Sequence, residues 1–303
     1  MKHILSSFCI LFFFLVIILF PSNTLYGASN GLLLWFQILI PTLLPFLIVT
    51  NLLIQTNAIT YIVIFMGPII QRLFSVSAYG SFAVLAGFLC GYPVGAKVTN
   101  DLLKRKQISL AEGNYLLSFC NQTSPAFLVS YVIIQKVQDT SLILPSLIIL
   151  YLSAYICSLI FRTKFKKETL LHSASLNTTV NFHFQLLDDS IMNAFETITK
   201  IGGYIILFSV LFTFGQRTPL SFFLPLLEIS NGTSYIISRF TSFPLQYAYL
   251  MGLCSLGGLC SIAQTYSVIQ GSGLSIHNYI IKKLITALVT SLLSFLYVVI
   301  ILR

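Results

Sequence analysis

Polar residues interrupt this chain only at intervals, and the stretches between them are apolar on every side. Long apolar runs cover residues 4–20, 32–54, 115–135, 142–161, 191–214, 245–270 and 279–302. A helix of about 20 such residues spans a hydrocarbon slab of roughly 30 Å, so the runs predict membrane-crossing α-helices. Strands of a membrane β-barrel would instead alternate in polarity over about ten residues, and 4–20 or 142–161 show no such alternation. The expected fold class is all-α: a polytopic transmembrane helical bundle.

Several runs are broken from within. Pro41 and Pro45 should kink the second crossing, while 58–74 carries Gly67-Pro68 and then Gln71 and Arg72 and reads as a broken, interfacial or hairpin helix. The stretch 82–96 is short and glycine-interrupted, Asn121 to Pro125 splits 115–135, Pro225 and Asn231-Gly232 interrupt 220–238, and Gly257-Gly258 interrupts 245–270. The first run follows Lys2 and His3, so residues 1–29 are a transmembrane helix or a signal anchor. Gly27-Ala28-Ser29 would tolerate cleavage, but the run exceeds a usual signal core, which favours retention.

Composition narrows the function classes. Charged residues are 8% of the chain, hydrophobic residues 56%, and mean hydropathy is +0.91, which excludes an ordinary soluble enzyme. The net charge of +9 reports topology rather than nucleic-acid binding, because basic residues collect in cytoplasmic loops; an anionic solute is the second reading of the same charge. Six cysteines without paired spacing read as small buried hydrophobes, and four scattered histidines give no metal motif. No nucleophile elbow or phosphate loop occurs, so the chain is not expected to be an enzyme or to hold a cofactor or metal.

The order of strong crossing, weak proline-bearing run, glycine-broken run and final crossing occurs twice, on either side of a hydrophilic linker at 162–189. In the alignment this suggests, Pro68 to Gln71 pairs with Pro225 to Glu228, and 87–109 pairs with 252–275, which sets Gly91 near Gly257. Lys104-Arg105-Lys106 and the cluster from Arg162 to Lys167 should be cytoplasmic, whereas the loop 271–278, free of Lys and Arg, should lie outside. The expectation is therefore two inverted repeats with broken or hairpin helices around a midplane site. Lys282 and Lys283 would then snorkel at the outer interface.

Polar groups inside a membrane are costly, so each cluster of them is a candidate site. The first is Gly91, Tyr92, Pro93, Gly95, Lys97 and Asn100, where a new half-helix after Pro93 would favour an anion with Lys97 beside it; the plain alternative has Lys97 reaching the headgroups. The second is Asn121, Thr123 and Ser124, with Gln122 and Pro125, either interhelical glue or a substrate path. The third is Asn231 with Gly257, Gly258, Ser261 and Gln264, beside Glu228, an isolated acid that is either a coupling group for a cation or proton or an interfacial acid at a hairpin base. Glu196 has Lys200 four residues on and reads as a surface pair.

Four segments carry a family resemblance: residues 31–53 (GLLLWFQILIPTLLPFLIVTNLL), 87–125 with its GYPVGAK and FCNQTSP motifs, 201–211 (IGGYIILFSVL) and 227–232 (LEISNG). From about residue 30 onward the chain resembles the YlbJ-type sporulation integral membrane proteins of the nucleoside-recognition, or Gate-domain, group. Residues 252–299 also resemble, more faintly, the last core helices of concentrative nucleoside transporters. The resemblance implies a first Gate-type repeat plus connecting helix at 30–161, a cytoplasmic linker at 162–189 that is short for the group, and a second repeat at 190–303. It also implies a role in endospore formation, with dipicolinate, a planar aromatic dianion, moving by alternating access across the outer forespore membrane. Tyr92 would then stack on the ring. The expected partners are a small anionic solute and the lipid bilayer, with no nucleic acid and with a homo-oligomer left open. The rivals are a nucleoside transporter coupled to sodium or protons and a non-transporting membrane protein needed for spore maturation; Gln71-Arg72 stands where the first of these would carry acidic and amide motifs.

Overall fold

The computed structural model describes residues 2–162, 183–216 and 219–302, and every regular element among them is helical. Helix α1 (Lys2–Leu19) lies on the outside of the bundle with Phe8, Ile10, Phe12 and Phe14 exposed. Helix α2 (Pro21–Leu34) passes through a π-helical turn (Trp35–Leu39) into α3 (Ile40–Gln55). The loosened turn just before Pro41 accommodates a ring that a regular helix would press against the preceding carbonyl. The rod Pro21–Gln55 is thus one span of 35 residues, and the boundary expected at 29/30 falls inside it.

Four more elements are long and apolar enough to cross: Thr140–Arg162, Phe184–Gly215, Phe243–Ile269 and Ile276–Ile300. The chain is an integral, multi-pass membrane protein. Helices α4 (Ile59–Phe74) and α5 (Ala78–Cys90) would add a sixth crossing only as a single span, and they meet at 88°. Of the linker expected at 162–189, residues 163–182 lie outside the described ones, and its last positions already belong to α9 (Phe184–Gly215).

Small residues set the packing. Along α2–α3 and the antiparallel α9, Gly27 and Gly31 form a GxxxG pair, and a Cβ at Gly31 would come within 2.7 Å of the Ile206 Cα. Further along, Trp35 Nε1 donates to the Ile198 carbonyl at 2.8 Å and Asn51 Nδ2 to that of Ser190 at 3.3 Å. Helix α8 (Ile143–Arg162) lies antiparallel to α13 (Ile276–Ile300): Thr290 donates to Ser153 at 2.7 Å and Lys282 sits 5.5 Å from the Phe161 ring.

These contacts define two ends. One holds the 104–109 turn, Arg162, the start of α9 and the 270–275 turn, tied by Arg105 to the Ile54 carbonyl at 3.0 Å and by Ser275 N to Asn114 Oδ1 at 2.9 Å. The other holds Tyr26, Lys136, Gln216 and Ser238 around one shared vestibule. The loop 271–278 therefore lies at the same end as Lys104-Arg105-Lys106, against expectation.

The cause is a hairpin. Helices α5 and α6 (Val94–Lys104) fold back on one another because Gly87 and Gly95 let the legs touch; a Cβ on Gly95 would sit 2.9 Å from the Gly87 Cα. The segment 78–104 re-enters and returns to its own end, whereas α11 (Phe243–Leu256) and α12 (Gly258–Ile269) continue across. Helices α6 and α12 consequently run parallel, with Tyr92 beside Gly257 and Asn100 Nδ2 donating to the Val268 carbonyl at 2.6 Å. Pairing 87–109 with 252–275 is thus overturned. A second hairpin enters from the opposite end: the 3₁₀ helix Pro219–Leu226 and α10 (Ile229–Arg239) touch where Gly232 meets the Pro225 carbonyl.

Between the hairpins, α7 (Leu110–Leu116) leads through an irregular stretch at 117–124 into the π-helix Phe127–Val137.

Candidate functional site

Both hairpin tips and both helix breaks meet midway along the bundle. Each tip is fastened to a break by one main-chain hydrogen bond: Tyr92 N donates to the Gln122 carbonyl at 2.8 Å, and Cys260 N donates to the Leu227 carbonyl at 2.9 Å. Gly91, at φ +80°, turns the first tip so closely against the 122–124 stretch that a Cβ would come 2.5 Å from Ser124 N. Gly257 and Gly258, at φ +78° and +73°, turn the second break, and a Cβ on Gly258 would approach the Leu226 carbonyl oxygen at 2.9 Å.

The four segments line a partly open cavity of about 50 Å³, room for a few water molecules. Its polar lining comes from Tyr92, Thr123, Ser124, Glu228, Ser230, Ser261 and Gln264 with Thr42 of α3, and its apolar wall from Leu39, Leu43, Ile201 and Ile205 on the long helices. The Tyr92 and Thr123 hydroxyls pair at 2.9 Å, and Thr123 also reaches the Cys254 carbonyl at 2.5 Å, so the first break is stitched to α11.

Glu228 is buried, 3% exposed, and caps α10: Oε1 accepts from Ser230 N at 2.9 Å, and Oε2 from Asn231 N and Asn231 Nδ2 at 2.9 and 3.0 Å. A carboxylate at a helix N-terminus satisfies orphan amides and meets the positive end of the helix dipole. The second hairpin thus carries its own side-chain cap. Asn231 Nδ2 also donates to Ser209 Oγ at 3.1 Å, which spans the gap to α9. On its far side Asn231 lines the vestibule at the bundle end, a space of about 500 Å³ shared with Tyr26, Lys136 and Tyr235.

Of the residues singled out from sequence, Tyr92, Thr123, Ser124, Glu228, Gly257, Ser261 and Gln264 line this cavity. Gly91, Pro93, Gly95 and Gly258 shape the backbone around it. Asn121 stands behind it, with Oδ1 accepting from Ala96 N at 3.4 Å and Nδ2 donating to Thr265 Oγ1 and the Tyr279 hydroxyl at 3.0 and 2.9 Å. The amide that starts α6 therefore faces Asn121.

Lys97 and Asn100 are not there. Lys97 Nζ binds Asp101 Oδ2 at 2.8 Å and Asn51 Oδ1 at 3.0 Å, in a cleft at the basic end, because its position on α6 turns it along the helix toward Asp101, four residues on. Among the described residues, the base behind the lining residue Tyr92 is Lys283. Expected at an interface, it is 1% exposed, with Nζ donating to the Ser255 carbonyl at 2.6 Å and Gln122 Oε1 at 3.2 Å and lying 5.8 Å from the Tyr92 ring centroid. A legible signal was the stripe Tyr279, Lys283, Thr286, Thr290 and Ser294, buried on one face of α13 at helical spacing.

No family model matches the chain, and no solved structure matches it. The sporulation integral membrane protein YlbJ of Bacillus subtilis (strain 168) is 29% identical over 226 residues, which cover 68% of this chain. The chain is a distant relative of that sporulation membrane protein. It spans about half the length of this curated relative, 55% of which is matched. The relationship is thus one of sequence with a sporulation-associated membrane protein.

Proposed function

We propose that the protein is a secondary transporter of a small organic solute, built from two inverted repeats that carry the solute between their hairpin tips. The observation that carries this reading is the convergence of two hairpins, entering from opposite ends, on one polar cavity, each tied to a helix break by a single main-chain bond. Pairing 78–104 with 219–239 and 110–137 with 243–269 relates the halves by inversion. Broken helices that expose main-chain groups at midplane are the means by which transporters bind solutes while rocking one repeat against the other. The described arrangement leaves about 50 Å³ at the cavity, with Asn231 standing between Glu228 and the vestibule. The basic end, with Lys104, Arg105, Lys106 and Arg162, faces the cytoplasm in this reading, and the vestibule opens on the other side.

The solute class is a small carboxylated anion, with dipicolinate across the outer forespore membrane as the leading case. The resemblance to sporulation membrane proteins supports it, and so does Lys283, a buried cation directly behind Tyr92. A neutral nucleoside is the second reading. Glu228 favours it, since a carboxylate in the lining opposes an anion and suits hydroxyl donors.

Uptake of labelled dipicolinate and uridine into liposomes holding the purified protein decides between them. Saturable uptake of dipicolinate supports the first reading and uptake of uridine alone supports the second. Uptake of neither overturns the transporter and leaves a membrane protein acting in spore assembly.

A further inference from the structure

We propose that Lys283 is a tethered cation standing in a site that a coupling metal ion would otherwise fill, so that solute movement through this protein proceeds without sodium. The inference rests on the transporter reading for its transport arm and on geometry alone for its binding arm.

The oxygens come first. Helix α11 ends at Leu256, and Gly257 turns the chain out of its axis, which leaves the Ser255 carbonyl for a donor from elsewhere. The negative end of the α11 dipole is aimed at the same spot, and Gln122, from the break of the other crossing, directs Oε1 there. Unwound carbonyls and the C-terminal ends of half-helices are the groups with which secondary transporters coordinate sodium or protons, and here the Gln122 amide oxygen joins them. Here that position is taken by Lys283 Nζ, at 2.6 Å from the Ser255 carbonyl and 3.2 Å from Gln122 Oε1, with the Tyr92 ring toward its remaining side. Ser255 Oγ, buried, also reaches Gln122 Oε1 at 3.4 Å, so the amide oxygen is held toward the ammonium. The Lys283 side chain is enclosed, and neither salt bridge among the described residues involves it. An ammonium buried without a carboxylate is costly unless oxygens meet its N–H groups, which the two breaks supply. It bridges both broken crossings and touches the first hairpin tip, so it does for the described arrangement what a bound ion does elsewhere.

Truncating the tether should open the site to a free cation. The test compares melting of purified wild type, Lys283→Ala and Lys283→Met in detergent, with and without n-propylammonium, sodium and tetramethylammonium. The Ala variant should melt lower and recover with propylammonium, less with sodium, and not with tetramethylammonium, which has no N–H; wild type and the Met variant, whose side chain fills the space, should not respond. Wild-type uptake into liposomes should be unchanged when choline replaces sodium. A Lys283→Ala protein that melts like wild type, or is indifferent to every amine, overturns the inference. So does a wild type whose transport requires sodium, a measurement that stands even if the Ala variant fails to fold. If wild type moves no solute, the transporter reading fails by itself and the amine response alone decides the occupancy of the site.

Discussion

Glu228 offers a perturbation whose size follows from its bonds. Replacing it with alanine removes the cap of α10 and strands the buried Ser230 N and the half-buried Asn231 N, while Asn231 Nδ2 keeps Ser209 Oγ as acceptor. Losing a helix cap costs about 1 kcal/mol. A buried donor left without a partner costs about 1–3 kcal/mol, and one of the two orphans is already counted in the cap, so the total is roughly 2–4 kcal/mol. At ~2 °C per kcal/mol for a chain of this size, the melting temperature should fall on the order of 4–8 °C. Glu228→Gln keeps a carbonyl oxygen for one amide and turns an NH₂ group toward the other, so it should fall between wild type and alanine. Trp35, the single tryptophan, reports the melt from the α2–α9 seam by fluorescence without belonging to the perturbed hairpin. Liposome uptake measured on the same samples separates folding from transport. If Glu228→Ala melts within a degree of wild type, the Glu228 side chain does not hold the start of α10, and the picture of a hairpin with its own cap is wrong.

Two further substitutions probe the hairpin and the distant cleft. Gly87→Ala should uncouple the first hairpin from the break beside it, because its Cβ would stand 2.1 Å from the Cys120 carbonyl oxygen, against backbone that cannot yield; uptake should be lost and tryptic cleavage near Lys104 accelerated, whereas normal uptake would refute the close approach. Lys97→Ala should leave the half-saturating solute concentration unchanged, since it removes only the bonds to Asp101 and Asn51 at the basic end, and a marked rise would return Lys97 to the site.

The sequence exposed the membrane helices and the polar interior more readily than the path of the chain. Lipid leaves no place for Asn121, Thr123, Glu228 or Gln264 except against other polar groups of the bundle, so a polar cluster within an apolar run already marks the bundle axis. Whether a glycine-broken run crosses or turns back depends on contacts between residues far apart in sequence, and Gly87 against Gly95 reads as a packing pair only after the hairpin has formed. The same ambiguity joined Gly91 to Gly257, two left-handed glycines with alike φ in elements of different kind: one turns a hairpin, the other bends a crossing. Lys97 and Lys283 were exchanged for a related reason. Lys97 has Asp101 four residues on, the spacing of a local ion pair, while Lys283 follows Lys282 and so looks like an interfacial anchor. About 100° around α13 separates the two neighbours, which sends Lys282 toward Phe161 and Lys283 into the bundle.

The central claim is that one cavity serves both faces of the membrane, and a single cysteine placed at Ser124 in a cysteine-free background tests it most directly. In oriented vesicles, a small membrane-impermeant thiol reagent should modify that position from either side, more slowly than a cysteine at exposed Asp139 on the vestibule side or at Lys106 on the basic side. Modification from one face only, under all solute conditions, would contradict a cavity that opens alternately between two hairpins.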